Sequence, residues 1–251
     1  MSFNPCVVIP FYNHKNTIEK TVTELLALNL FCIIIDDASD QNTQQVLKNL
    51  LEAQTNCCSH RLPINQGKGG AVMKGLALAN EMGFSHALQV DADGQHNLQD
   101  IPAFINAAKK SPDALICGQP RFDDSMPRHR KFARGITHFW VGVETLTFNP
   151  IDTMCGFRVY PLHSTNAIID QYNVGKRMDF DIEILVRIIW SAIPVIPLPT
   201  KVKYPEDGIS HFHYWQDNVL ITKMHIKLVF GMLYRLPSFI FNQFSFNKNH
   251  V

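Results

Sequence analysis

The chain has no Cys-x-x-Cys pair, no zinc-ligand spacing, little charge and no imbalance of charge. Its six cysteines (Cys6, Cys32, Cys57, Cys58, Cys117 and Cys155) are scattered through 251 residues. Such a pattern excludes a zinc ribbon or a disulfide framework. Cys6, Cys32 and Cys117 fall in apolar, strand-like runs and read as reduced thiols that behave as small hydrophobes. Charged residues make up only 18%, and 23 Lys+Arg stand against 22 Asp+Glu, so the formal net charge is +1. A dedicated duplex-DNA binder would carry a basic excess, so no nucleic-acid partner is expected.

The opening residues, MSFNPCVVIPFYNH, carry neither the basic region nor the long apolar region of a secretory leader. Pro194 and Pro197 interrupt 188–198, and Lys223, Lys227, Arg235 and Pro237 interrupt 219–246. No clean spanning helix is expected, and the body of the chain is expected in the cytoplasm. No Gly-x-Gly-x-x-Gly follows the first apolar run, which sets aside a standard dinucleotide site. Gly67-Lys68-Gly69-Gly70 lacks the spacing of a Walker loop, although it opens a helix and can bring N–H groups and a cation to a phosphate. There is no internal repeat and no low-complexity tract.

What is present is 46% hydrophobic sequence, enough for one sizeable core and too much for a disordered chain. Short apolar runs at 6–9, 31–35, 60–62, 86–90 and 114–118 alternate with helical patterns at 16–28, 43–53, 71–82 and 98–110. Asn42 or Thr43 is the expected cap of the second helix. Strands apolar on both faces and alternating with helices predict an α/β fold with a mixed, mainly parallel sheet flanked by helices. Further on, a helix is expected over 129–146, a strand over 156–161, a helix over 181–191, a strand over 195–198 and a terminal helix from Trp215.

Ligands of such sheets gather outside the carboxyl ends of the strands. Tyr12-Asn13, Asp36-Asp37 and Asp91-Ala92-Asp93 all sit at such ends. Two carboxylates two residues apart after a buried strand can turn onto one hard divalent cation, with Gln95 and His96 as further candidates. Read singly, each cluster is equally an ordinary turn or cap. Asp91 as a phosphatase nucleophile is disfavoured, because Gln95 stands where that chemistry wants a small hydroxyl residue.

In order and spacing the segments VIPFYN, IDDASD, NQGKGGA, VDADGQH, GQPR and DTMCGFR resemble the inverting GT-A glycosyltransferases of family 2, especially the polyprenyl-phosphate sugar synthases. The likeness runs over roughly residues 5–215. It implies a GT-A (Rossmann-like) fold and transfer of a sugar from a UDP, GDP or TDP donor to an acceptor, with Mg²⁺ or Mn²⁺ assisting. It implies that Pro10, Tyr12, Asn13, Asp36, Asp37, Gly67, Lys68, Asp91, Ala92, Arg121 and Arg158 line the donor crevice. Asp91, Asp93 and Gln95 would hold the metal, and Asp93, Arg134 and Asp152 would act in the transfer.

A lipid-phosphate or lipid-linked acceptor is ranked first; a hydroxyl acceptor, or a non-catalytic nucleotide-sugar-binding subunit, stays open. A lipid phosphate needs no general base, whereas a hydroxyl needs one, for which Asp152 is preferred over Asp181 and Glu183. Gly208, Ser210 and His211 resemble the family's acceptor loop. The Gln-x-x-Arg-Trp motif of processive polysaccharide synthases is absent, and a long-chain polymerase is not expected. The expected organisation is a catalytic domain at 1–213 and an amphipathic helical extension at 214–251. On that extension Lys223, Lys227, Gly231 and Arg235 form a stripe suited to a headgroup layer, or else to a helix packed on the domain or on a second subunit. A peripheral place on the inner face of the membrane follows from the first alternative.

Overall fold

The computed structural model describes residues 2–121, 128–147, 151–202 and 213–248. The chain runs β1 (Pro5–Phe11), α1 (Ile18–Leu26), β2 (Phe31–Asp36), α2 (Gln41–Ala53), β3 (Cys57–Arg61), α3 (Lys68–Glu81) and β4 (His86–Gln89). A single 3₁₀ turn at Leu98–Asp100 leads into α4 (Ile101–Lys110). There follow β5 (Leu115–Arg121), α5 (Arg128–Thr145), β6 (Arg158–Pro161), α6 (Leu162–Gln171), α7 (Phe180–Trp190), β7 (Val195–Lys201) and α8 (Tyr214–Lys248).

The seven strands form one sheet in the order β3-β2-β1-β4-β6-β5-β7. Neighbours pair in parallel except β6, which is antiparallel to both β4 and β5. The expected mixed, mainly parallel sheet is what forms. Successive residues of β1 point to opposite faces. Val7, Ile9 and Phe11 enter one core with Ile34 and Phe104, while Cys6 and Val8 enter the other with Ile33, Leu76 and Phe180. Burying each such Val, Ile or Phe side chain is worth roughly 1.5–3 kcal/mol, so β1 carries a large share of the stability on both faces.

Several boundaries differ from the sequence expectation. Asp40, rather than Asn42 or Thr43, caps α2, because its extended backbone lets its carboxylate accept from the Thr43 N–H at 2.8 Å. The third strand starts at Cys57, where it pairs with Cys32. α3 starts at Lys68 rather than Ala71, since Gly69 and Gly70 serve close packing. A Cβ on Gly69 would lie 2.3 Å from that of Phe180, and one on Gly70 would lie 2.6 Å from that of Gln66. Farther along, a Cβ on Gly75 would meet Val8 Cγ1 at 2.3 Å. α3 therefore lies hard against β1, and its first residue, Lys68, is fixed at the rim. α6 was not foreseen.

Lys227, Gly231 and Arg235 of the stripe on the last helix face inward, which corrects the headgroup reading for those three, while Lys223 is exposed. Lys227 donates to Glu183 at 2.8 Å, Arg235 donates to the Trp190 carbonyl, and a Cβ on Gly231 would meet the Trp190 ring at 2.7 Å. Met224, Leu228 and Met232 complete a third apolar cluster with Val141, Ile182, Val186 and Trp190. His225 pairs with the buried Glu144 at 2.7 Å. α8 is thus tied to α5 and α7 through apolar packing and buried polar contacts.

Candidate active site

β1, β2 and β4 run in parallel and end on one edge of the sheet. From β1 the chain steps outward through β2 and β3, then returns to β4 on the other side of β1. This reversal opens a crevice at the strand ends, the usual ligand position of an open α/β sheet. Pro10 is buried at the end of β1, and Tyr12 and Asn13 sit half-buried on the rim. Asn13 adopts a left-handed φ of 56°, and its N–H donates to Ser39 Oγ at 3.0 Å while its Oδ1 accepts from the Asp40 N–H at 2.9 Å. The loops after β1 and β2 are thereby locked together.

The two aspartates after β2 are occupied differently. Asp36 is buried, pairs with Arg61 and accepts from the Ser39 N–H at 2.9 Å. Its carboxylate is engaged in shaping the loop. Asp37 accepts from the Gln66 and Gly67 N–H groups at 2.7 and 2.8 Å. Burial pushes its carboxyl upward from the ordinary value, against the pull of those N–H groups and of nearby Arg177. Gly67 holds φ at 87°, which a side chain would resist. Asp37 therefore fixes the turn that delivers Lys68.

Lys68 bridges two carboxylates, Asp91 at 2.8 Å and Asp181 at 3.0 Å. Burial works against its charge, but Asp181 and Asp91 outweigh it and hold the ammonium protonated well above its usual range. For Asp91 burial is again the largest influence and again loses: Lys68, then His96, bring its carboxyl down to about 2. Gly156 passes directly over the pair; a Cβ there would lie 2.7 Å from Lys68 Nζ and 3.1 Å from Asp91 Oδ2. Ala92 is buried, and its carbonyl accepts from Thr17.

Asp93 is half-buried, and its Oδ1 accepts from the Gln95 N–H at 3.0 Å. Among the described residues no cation pairs with it. No group of three His, Cys, Asp or Glu side chains converges on one point among the described residues. The protein's contribution to a metal is then small: the open side of Asp93, Gln95 beside it, and Asp91 only so far as Lys68 shares it. These are hard oxygen donors, and Mg²⁺ commonly takes one or two carboxylates and fills the rest from phosphate and water. The residues fit such an ion.

Asp152 lies behind this rim. Arg134 grips it with two bonds, Nε to Oδ2 at 2.8 Å and Nη2 to Oδ1 at 2.7 Å. The Met154 and Cys155 N–H groups donate to it at 3.0 and 2.7 Å, and His138 stands 3.6 Å away. Burial resists its ionisation, yet His138 and Arg134 together hold its carboxyl far below the usual range. Arg158, expected at the diphosphate, is fully buried and donates to the Asp181 and Thr153 carbonyls at 2.6 and 2.9 Å. It braces the loop from within the core and is out of a ligand's reach. Arg121 is exposed at the end of β5. Gly208, Ser210 and His211 lie outside the described residues.

The sequence reading missed His138, Arg61 and Arg177. His138 follows Arg134 by one helical turn, a spacing that puts both on one face of α5 and was there to be read. Arg61 and Arg177 carry no such signal, because only the folded sheet brings them to Asp36 and Asp37.

The family model for glycosyl transferase family 2 matches residues 6–173. The dolichyl-phosphate beta-glucosyltransferase of Dictyostelium discoideum is 28% identical over 248 residues, covering 90% of this chain and 74% of that protein. The UDP-N-acetylglucosamine–dolichyl-phosphate N-acetylglucosaminyltransferase of Methanococcus voltae is 27% identical over 226 residues, covering 81% and 87% of the two chains. Among solved structures, the mannosyltransferase PcManGT from Pyrobaculum calidifontis, in complex with GDP-Man and Mn²⁺, superposes with a TM-score of 0.56 at 14% identity. That match covers 92% of this chain and 64% of the other, and it supports the expected GT-A-like fold. The family match takes in β1 through α6, more than half the chain and the loops that build the rim, so this protein is a glycosyltransferase belonging to family 2.

Proposed function

We propose that this chain moves a sugar from a nucleotide sugar to a lipid phosphate, with inversion and with a divalent ion. One observation carries the acceptor class: each carboxylate considered as a general base is already ion-paired. Asp152 is held by Arg134, Asp181 by Lys68, and Glu183 by Arg187 at 2.5 Å and Lys227 at 2.8 Å. Taking up a proton at any of them would break a pair that is largely withdrawn from water, a change that costs several kcal/mol. A lipid phosphate is anionic from the start and needs no such step. The names of the two relatives above, both enzymes of dolichyl phosphate, point to the same acceptor class.

In this reading the donor lies along the rim, its nucleoside toward Pro10, Tyr12, Asn13 and the Asp37–Gly67 turn, its diphosphate toward Ala92 and Asp93. Mg²⁺ or Mn²⁺ held by Asp93, with Gln95 and Asp91 beside it, would stabilise the charge that develops on the leaving diphosphate. Arg121 adds fixed positive charge at the neighbouring strand end. An oxygen of the lipid phosphate attacks the anomeric carbon from the side opposite the diphosphate. As that bond forms, the bond from the anomeric carbon to the diphosphate oxygen breaks, and its electron pair leaves with the nucleoside diphosphate. The rim residues named so far accommodate uracil, guanine and thymine donors alike. Release of nucleoside diphosphate from a panel of UDP-, GDP- and TDP-sugars is expected to require Mn²⁺ or Mg²⁺ together with polyprenyl phosphate. Turnover that persists unchanged in chelator contradicts the metal part of the reading.

Residues 1–213 form the catalytic part in this account, and 214–251 its helical extension. Among the described residues no helix is long and apolar enough to cross a membrane. Exposed apolar side chains nevertheless gather on two packed helices: Phe132, Ile136 and Phe139 on α5, and Ile226, Phe230 and Leu233 on α8. Lys131 and Lys223 are exposed beside them. This outer face, not the inward stripe, is the one suited to an anionic bilayer surface. Phe132→Ser combined with Phe230→Ser is expected to release the full chain from anionic liposomes in flotation; a wild type that does not float contradicts membrane contact.

A further inference from the structure

Of the cations expected to meet the donor, Arg121 is exposed at the end of β5, whereas three others are consumed by the protein. Lys68 lies between Asp91 and Asp181, Arg134 grips Asp152, and Arg158 is buried against carbonyls. Arg177, on the loop between α6 and α7, is in a different state. Its side chain is 35% exposed, and its guanidinium makes no hydrogen bond among the described residues. The nearest carboxylate oxygen, Asp217 Oδ1, stands 3.7 Å from Nε, too far for a hydrogen bond, and is itself without a hydrogen-bond partner.

The loop that carries Arg177 is fastened by hydrogen bonds. The Gly175 N–H donates to Glu183 Oε2 at 2.9 Å, and the Arg177 N–H donates to Asp179 Oδ1 at 3.0 Å. The Lys176 carbonyl accepts from the Gly70 N–H at 2.8 Å, which fastens the loop to the first turn of α3. The stem of Arg177 then lies on Gly67: a Cβ at that glycine would sit 2.9 Å from Arg177 Cγ and 2.8 Å from the Lys176 carbonyl. Gly67 is the residue whose N–H binds Asp37. A held backbone, a held stem and an uncommitted guanidinium at the Asp37 end of the crevice are what a preorganised ligand contact requires.

We propose that Arg177 is a donor-binding residue that contacts the nucleoside end of the nucleotide sugar. This rests on the function proposed above and adds a contact to it. A guanidinium offers a planar fork of donors that matches paired acceptor atoms, such as the carbonyl oxygens and ring nitrogens on the edge of a base. Asp93 lies at the end of another strand, across β1, so the diphosphate and the base are met by different groups.

The test is calorimetric titration of the full chain with UDP, with GDP and with TDP in Mn²⁺, and separately with inorganic pyrophosphate in Mn²⁺. For Arg177→Gln, affinity for the nucleotide that wild type binds is expected to fall about tenfold or more, the range of a hydrogen bond to a charged group. Pyrophosphate affinity is expected to stay at the wild-type value. Arg177→Lys keeps the charge without the fork and is expected not to restore nucleotide binding, and it decides the matter alone if the glutamine variant fails to fold. Asp217→Asn is expected to bind nucleotide like wild type. Wild-type affinity in both Arg177 variants overturns the proposal, as does an equal loss in Asp217→Asn, or a loss shared equally by pyrophosphate. A raised KM for polyprenyl phosphate with donor affinity unchanged would assign Arg177 to the acceptor and also overturn it. Wild type that binds none of the three nucleotides contradicts the underlying function, an outcome distinct from the others.

Discussion

Replacing Asp93 by Asn lowers turnover on the order of 10²–10³-fold, the scale of removing one fixed electrostatic contact from a developing charge, while leaving the melting temperature close to wild type. Both halves follow from the surroundings of the side chain. Its Oδ1 accepts one backbone N–H, from Gln95, and an asparagine carbonyl accepts the same bond. No cation among the described residues depends on its charge, so none is orphaned by the substitution. What disappears is a charged oxygen that no cation pairs with among the described residues, and a neutral amide holds a hard divalent ion poorly. Asp91→Asn should behave differently, because it strips Lys68 of one of its two partners. Its cost should appear in stability as much as in turnover. Melting curves and nucleoside diphosphate release, measured side by side, separate the two variants. Wild-type turnover by Asp93→Asn would show that no ion is held there.

Asp152→Ala is expected to be the more damaging change to the fold. The carboxylate is buried and satisfies the Arg134 fork and the N–H groups of Met154 and Cys155. Removing one member of a buried pair leaves an uncompensated charge, at about 3–5 kcal/mol. For a chain of this size that is a fall of melting temperature on the order of 10 °C. The same pair sets an acid limit. A carboxyl whose value is depressed in the folded state contributes stability that is complete above the unfolded value of about 4 and is lost as pH falls through the folded one. Wild type should therefore lose stability more steeply than Asp152→Asn below about pH 4, and identical acid limbs in the two proteins would show the pair to be weak. If Asp152 served as a base, the asparagine variant would instead lose turnover throughout the neutral range, where the wild-type carboxylate is ionised.

Much of this was legible before folding. Strands such as FCIIID announce themselves as short apolar runs, and their ends are marked by the polar residues that stop them. The rim of Tyr12, Asp37, Asp91 and Asp93 follows from that marking alone. The antiparallel insertion of β6 between β4 and β5 does not, because a four-residue apolar run such as Arg-Val-Tyr-Pro suits parallel and antiparallel neighbours alike and only packing fixes its direction. The occupancy of the charged groups was hidden for the same reason. Asp36 and Asp37 are adjacent in sequence, but one is consumed by Arg61 and the other by the turn at Gly67. Arg158 looked like a diphosphate ligand because its segment resembles a family motif, whereas its neighbours in β6 are all buried and drew it into the core. Lys227 and Arg235 resembled a headgroup stripe at helical spacing, a pattern equally suited to the acidic and aromatic face of α7 that they meet.

The account turns on an acceptor that brings its own negative charge. The most direct test gives the wild-type enzyme one nucleotide-sugar donor with Mn²⁺ and two acceptors that differ only at the head, polyprenyl phosphate and the matching polyprenol, and identifies the products by mass spectrometry. The account predicts a glycosylated polyprenyl phosphate, in which sugar and lipid share the phosphate, and no product from the alcohol. Glycosylated polyprenol formed at a comparable rate would mean that a protein group accepts a proton, and would contradict it.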